Sequence, residues 1–322
     1  MTASTEDLMQ SLDARVERRE SRRAFFTAAL SAGAIGAGAF AFASAANAQT
    51  VTDADILNFA LNLEYLEANF YSFAVNGSPL GEGITGGTGD RGTAVGGRRV
   101  SFTDRAVEAY AREIAADELA HVRFLRNALG SAAVAQPRID VGITADSAFS
   151  KAAQAAGVVP AGGVFDPYSS DENFLLGAFI FEDVGVTAYK GSAALIQNKD
   201  YLDAAAGILA AEAYHAAIVR TTLYRKGIST LITATEQISD ARDSLDGSSD
   251  LDQGVRPRTV GDLGELSNIA PTDDRGLAFS RTAQQVLNIV YLNSSAVTMG
   301  GFFPNGVNGS IKTSAASAST AG

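Results

Sequence analysis

Apolar residues recur every three to four positions in six stretches of the chain, and that period predicts helices. The first helix covers residues 53–75 and opens on Thr52-x-x-Asp55, a start of the capping-box kind. The second covers 103–129 and stops at Gly130. Ser169-x-x-Glu172 opens the third, which runs to about 197, and the fourth covers 200–225 and ends before Gly227. Residues 229–245 carry the same period. A last amphipathic stretch, 278–292, puts Val286, Ile289 and Val290 on one face and is expected to dock on the preceding helices. Runs that alternate apolar and polar residues between turn signals are sparse, so the class is all-α.

The connections differ in kind. Residues 76–99 are rich in glycine, which predicts a segment too flexible for regular structure. They lack the Gly-Lys-Ser/Thr ending of a phosphate loop. A loop interrupted by Pro137, Pro160 and Pro167 leads to the third helix, and a polar linker covers 246–275. The tail is rich in Gly and Phe, then in Ser and Ala from 313 to 322, where disorder is expected.

The chemistry lies where the apolar stripes are broken. The second helix reads Val107, Ala111, Ile114, Glu118, His121, Leu125; the fourth reads Tyr201, Ala205, Ile208, Glu212, His215, Val219; the third reads Leu175, Phe179, Glu182, Val186, Tyr189. An ionised carboxylate stripped of water costs about several kcal/mol unless a cation or hydrogen-bond donors replace that water, so four such groups at once demand compensation. Converging carboxylates would also raise one another's pKa values. Two divalent cations remove the conflict, because four carboxylates and two neutral imidazoles balance a charge of four. Glu and His three residues apart lie about 60° round the helix and about 4.5 Å along it, so both can reach one ion. One Glu from each of two helices, with Glu-x-x-His from each of two others, is the arithmetic of a bundle metal site. Both histidines of the chain sit in such a pair.

The first helix offers two carboxylates. Glu64 lies on the stripe Leu57, Leu61, Glu64, Ala68, Tyr71, and Glu67 on its neighbour Ile56, Ala60, Leu63, Glu67, Phe70. Period alone does not separate them. An internal repeat favours Glu64, because Tyr71 follows it by seven residues just as Tyr189 follows Glu182. Glu67 remains the alternative helix-one ligand. Tyr71 and Tyr189 are candidates to donate hydrogen bonds to the carboxylates or to relay electrons, with ordinary core aromatics as the other reading. Asp117, beside Glu118, is a candidate partner for a ligand histidine; an exposed helix acid is the bland reading.

Composition adds bounds. The 322 residues carry a net charge of −11 and no cysteine, which argues against nucleic acid as a partner and leaves stability to packing or bound metal. Ser21-Arg22-Arg23 precedes an apolar run of Ala, Gly and Phe that ends in Ala46-Asn47-Ala48. Residues 1–48 therefore look like a twin-arginine export signal, with the mature chain starting near Gln49 in the periplasm or outside the cell. An uncleaved membrane anchor is the competing reading; the Ala/Gly-rich run and the small-x-small ending favour cleavage, after which no membrane contact is expected.

With these residues in view, the sequence resembles the ferritin-like superfamily over residues 53–227. More narrowly it is similar to the desiccation-related ferritin-like family, through Asn62-Leu63-Glu64-Tyr65-Leu66-Glu67-Ala68, Asp117-Glu118-Leu119-Ala120-His121, Phe181-Glu182-Asp183-Val184-Gly185, Glu212-Ala213-Tyr214-His215 and the ending Gly300-Gly301-Phe302-Phe303-Pro304-Asn305-Gly306. The resemblance implies an up-down four-helix bundle over 49–227, with a long crossover between its second and third helices and a C-terminal helical extension over 228–322. It also implies a di-iron or di-manganese centre held by Glu64, Glu118, His121, Glu182, Glu212 and His215. Redox chemistry on O2, H2O2 or Fe(II) follows as the leading expectation. A stress-protective protein with a structural metal site, and a metal-storage protein, are the alternatives; a homo-oligomer is compatible with all three.

Overall fold

Seven helices and four two-residue strands occupy residues 51–317, the part of the chain that the computed structural model describes. The predicted export signal and the last five residues lie outside the described residues. The helices are α1 (Asp53–Asn76), α2 (Arg105–Leu129), α3 (Ala148–Ala155), α4 (Asp171–Ala193), α5 (Lys199–Lys226), α6 (Ser229–Asp246) and α7 (Ala283–Val290). The strands are β1 (Ala94–Val95), parallel to β2 (Ile139–Asp140), and β3 (Arg258–Thr259), antiparallel to β4 (Glu265–Leu266).

Local chemistry fixes the helix ends. Thr52 and Asp55 complete a capping box on α1, and Gly77 closes that helix in the left-handed conformation at φ 76°. Asp104 caps α2 and Asn198 caps α5. The cap of α4 is Ser170, whose side chain accepts from Asn173 N. Ser169, one residue earlier, instead accepts from the Asn173 side chain.

Contacts at the two ends set the bundle's topology. Val100 N donates to Ala74 O, so the start of α2 lies beside the end of α1. Asp171, at the start of α4, accepts from Asp104 N at the start of α2, and Lys226, at the end of α5, pairs with Glu172 at 2.7 Å. At the opposite end, Gln197 N and Asn198 N donate to Asp53. Thus α1/α2 and α4/α5 are antiparallel hairpins, and the crossover from α2 to α4 runs the length of the bundle. The fold is a ferritin-like helical bundle.

Burial divides the four helices by type. On α2 and α5 one stripe is buried, whereas α1 and α4 are buried almost all round. The extension covers their outer sides. Phe302 in the tail packs edge-on to Phe181 of α4 at 4.9 Å and to Phe149 of α3 at 5.2 Å, and Phe149 stacks towards Phe70 of α1 at 5.4 Å. Helix α3, absent from the sequence expectation, spans only eight residues and is held by that aromatic plug together with bonds of Ala148 N to Asp140 and of Ser150 to Phe165.

Two expectations for the connections need correction. The glycine-rich segment 76–99 is not devoid of regular structure: it carries β1 and a 3-10 turn at Glu82–Ile84, and Thr88 bridges to Val134. Several of its glycines serve close approach; a Cβ on Gly92 would lie 2.2 Å from Arg138 N. The expected disorder from 313 onward is also wrong for residues up to 317, because Ser314 is buried and bonds to Val297 while Ser317 bonds to Ser294. In addition, α7 starts later than expected because Arg281 is drawn onto α4, where its N–H donates to Thr187 O.

That arginine belongs to a buried ionic network. Asp183 of α4 accepts from Arg220 of α5 at 2.8 Å and from Arg242 of α6 at 3.3 Å; Arg242 also meets Asp252 at 2.8 Å. Arg281 joins Asp252, at 2.6 Å, and Asp246. The Arg220 guanidinium spends its remaining donors on the carbonyls of Gln253, Gly254, Asn268 and Ile269. The extension is therefore tied to α4 and α5 by charge as well as by apolar contact. Removing one member leaves buried charge uncompensated, at a cost of about 3–5 kcal/mol. Asp183→Ala is expected to lower unfolding free energy in urea by about that amount. A change below about 1 kcal/mol would show that the network is not under stress when opened.

Candidate metal centre

Glu64 projects from α1, Glu118 and His121 from α2, Glu182 from α4, and Glu212 and His215 from α5; all six are buried. Helical spacing brings each Glu-x-x-His pair onto one face, and the bundle turns the four faces together. Two overlapping groups result. Glu64, Glu118, His121 and Glu212 each place a ligand atom within 4.8 Å of the others, and Glu182, Glu212 and His215 do the same. Glu212 belongs to both. Glu118 also faces both imidazoles, with Oε2 3.6 Å from His121 Nδ1 and Oε1 3.0 Å from His215 Nδ1. The outer carboxylates serve one side each: Glu64 Oε2 is 3.2 Å from His121 Nδ1, and Glu182 Oε2 is 3.7 Å from His215 Nδ1.

Apart from the Glu64–His121 hydrogen bond, most of these atoms crowd without bonding. Both oxygens of Glu118, both of Glu212, Glu182 Oε2 and His215 Nδ1 lack a hydrogen-bond partner. Each unsatisfied buried polar group costs about 1–3 kcal/mol, and more when charged. Orphaned atoms converging from α2, α4 and α5, beside Glu64 of α1, fit metal ions, and carboxylate with imidazole is a donor set that divalent iron and manganese accept.

The surroundings hold the donors in place. Tyr71 of α1 donates to Glu182 Oε1 on α4, and Tyr189 of α4 donates to Glu64 Oε1 on α1. The exchange is reciprocal, matching the Glu-x6-Tyr repeat in the sequence. Burial first, then the neighbouring carboxylate, raises both phenols well above their ordinary range, so they stay protonated donors. Asp117 Oδ2 lies 3.1 Å from His215 Nε2, which turns Nδ1 inward. No such partner meets the outer nitrogen of His121 among the described residues.

Glu67 is buried too, yet it stands outside both groups. It occupies the α4 side of the site, across from Gly185. A Cβ on Gly185 would lie 2.3 Å from Glu212 Oε2 and 3.4 Å from Glu67 Oε1, so the absent side chain makes room for both carboxyls. The sequence reading missed Gly185, although a glycine within an apolar helix beside a core glutamate is a visible signal of close approach. It also missed the Asp183–arginine network that backs the site.

The candidate ligands shift one another's charge. Burial, then the charge of Glu118, raises the Glu64 carboxyl to about 7 and lifts Glu212 well above the usual range. Burial raises Glu182 to about 8. Burial would raise Glu118 as well, but His121 and His215 outweigh it and bring that carboxyl down to about 2. Burial opposes charge on the histidines; Glu64 and Glu118 overcome it and hold His121 up to about 11, while Glu118 and Glu182 hold His215 up to about 9. Protons thus take the place that metal ions would fill.

The comparisons with known proteins agree with this arrangement. A model of the ferritin-like domain family matches residues 52–225, more than half of the chain. The chain belongs to the ferritin-like family. Two curated relatives are similar to it over most of their length. The desiccation-related protein PCC13-62 of Craterostigma plantagineum is 28% identical over 273 residues, covering 80% of this chain and 83% of the relative. Ferritin-like catalase Nec2 of Nesocodon mauritianus is 27% identical over 268 residues, covering 80% and 84%. Both alignments are longer than the family domain, so the likeness extends beyond the ferritin-like bundle. No solved structure matches the chain.

Two outcomes are expected of this ferritin-like centre. Metal ions and protons compete for the same atoms, so Mn(II) or Fe(II) uptake should release protons. Affinity should tighten as pH rises through about 7 to 9, where Glu64, Glu182 and His215 give up theirs. Titration calorimetry in buffers of different ionisation enthalpy measures the release; a proton count near zero at neutral pH would contradict it. Gly185→Ala should displace the Glu212 carboxylate and weaken metal binding by about 10–100-fold while leaving helix content unchanged. Unaltered affinity in that variant would mean that Glu212 is not held by the close approach.

Proposed function

We propose that the protein is an exported ferritin-like oxidoreductase whose buried centre holds two iron or manganese ions and handles hydrogen peroxide or O2. The observation that carries this reading is the set of orphaned carboxylate and imidazole atoms in two groups joined through Glu212 and Glu118. Glu64 with His121 would serve one ion and Glu182 with His215 the other, with Glu118 and Glu212 between them. The ligands' four negative charges match two divalent ions, and an oxygen-rich set suits iron or manganese better than tetrahedral zinc. Two such ions supply reversible one-electron chemistry to a small oxidant bound beside them.

The chain's own residues would then do three things. The six ligands fix the ions in a dry interior where their charge is least screened. Tyr71 and Tyr189 hold the outer oxygens of Glu182 and Glu64, which limits how far either carboxylate can swing, and each keeps a proton at its phenol oxygen beside the site. Asp117 orients His215 from the solvent side. A relative named as a ferritin-like catalase supports peroxide as substrate, and one named as desiccation-related supports a role under stress. The twin-arginine pattern at Arg22-Arg23 supports export of the folded, loaded protein to the periplasm or beyond.

The test is metal content and turnover of protein folded in its native host, beside a Glu118→Ala/His215→Ala variant. About two iron or manganese ions in the wild type, none in the variant, and peroxide consumption reduced by about 100-fold or more are expected. Metal-loaded wild type that neither consumes peroxide nor oxidises Fe(II) faster than buffer would sink the enzyme reading. A melting temperature that then falls on chelation would establish a structural metal site in its place.

A further inference from the structure

One cleft is lined by none of the metal-ligand candidates and has a chemistry of its own. It encloses about 440 Å³, within the size range of small-molecule sites, and three segments far apart in sequence line it. The glycine-rich segment contributes Asp90 and Arg91, the crossover contributes Arg138, and the tail contributes Met299, Asn308 and Lys312. Three cations and one carboxylate therefore face one cleft in a chain whose net charge is −11. Arg138 and Lys312 form no ion pair among the described residues. Arg91 is held at the rim by bonds to Thr85 Oγ1 at 2.8 Å and Glu82 O at 3.3 Å.

The cleft is also built rather than incidental. Asn308 sits at its floor with its side chain fully used: Oδ1 accepts from Asp90 N at 2.9 Å, and Nδ2 donates to Asp90 O and Ala135 O, each at 2.8 Å. Its backbone exchanges two hydrogen bonds with the Asn62 side chain of α1, at 2.9 and 3.0 Å. One residue thus fastens the three segments to one another and to the bundle. Like charges held together on a fixed frame repel, and an anion placed among them would relieve that repulsion at little ordering cost.

We propose that this cleft binds a small, multiply charged oxyanion, a phosphate ester or a polycarboxylate. Arg138 and Lys312 supply the attraction and Arg91 a fork at the rim. The site is independent of the metal centre and of the redox reading.

Calorimetric titration of the full mature protein with inorganic phosphate, citrate and glucose 6-phosphate tests it, with glucose as the neutral control. At least one anion should bind saturably at low ionic strength, weaken with added sodium chloride, and lose about tenfold or more in affinity in Arg138→Ala/Lys312→Ala. Both side chains are exposed and unbonded to carboxylates, so that variant should keep the wild-type melting temperature and metal content. The anion that binds tightest separates a phosphate source from a carboxylate one. No saturable binding of any of the three up to about 10 mM, affinity unchanged in the folded variant, or glucose binding as well as its phosphate would each overturn the proposal.

Discussion

Five glutamates and two histidines share one dry region of the bundle, and their mutual repulsion has to be contained by everything around them. Water cannot solvate them there, so positive charge or protons must. The arrangement of ligand atoms shows how the protein meets that demand. Carboxylates alternate with imidazoles, Glu118 and Glu212 stand between the two groups, and Tyr71 and Tyr189 occupy the outer oxygens that would otherwise be free to swing. Metal-free, the same atoms keep protons that an exposed glutamate would shed at neutral pH.

The same pressure explains the second buried cluster. Asp183 follows Glu182, so one turn of α4 faces the candidate metal centre on one side and two arginines on the other. The arginines would be costly in a hydrocarbon core; Asp183, Asp252 and Asp246, with backbone carbonyls of α4 and the extension, pair with all their nitrogens but Arg242 Nε. Helix α4 is thereby fixed from both faces, and with it the position of Glu182. The extension is part of the site's foundation rather than an appendage to a finished bundle.

Membership of the ferritin-like family supplies the frame, and the departures from a bare four-helix bundle are where this chain is individual. The glycine-rich segment and the tail meet over α1 and form the cationic cleft, held by Asn62 and Asn308 two residues from the metal ligand candidate Glu64. The tail's Phe302 meanwhile closes the aromatic layer between α1, α3 and α4. The segments that make the chain longer than its bundle are thus packed into its walls.

The sequence by itself determined the helices and the residues that break their stripes. Both are written in a local period, since a helix places residues three and four apart on one face whatever surrounds it. Glu64, Glu118, His121, Glu182, Glu212 and His215 stood out for that reason, and the repeated Glu-x6-Tyr spacing pointed to Tyr71 and Tyr189. The tertiary structure alone decided what depends on contacts between distant segments. Period left Glu64 and Glu67 level and the Glu-x6-Tyr repeat favoured Glu64, but the packing of α1 against α2 is what sets Glu64 beside His121. Helix α3 was too short to carry a period, and residues 76–99 were read as shapeless because their order comes from pairing with residues near 134–140. Asp183, Arg220, Arg242 and Arg281 looked like scattered charges until the chain brought them together. Helical period is an interaction of a residue with its near neighbours; ion pairs, close glycine contacts and clefts belong to residues that meet only once the whole chain has folded.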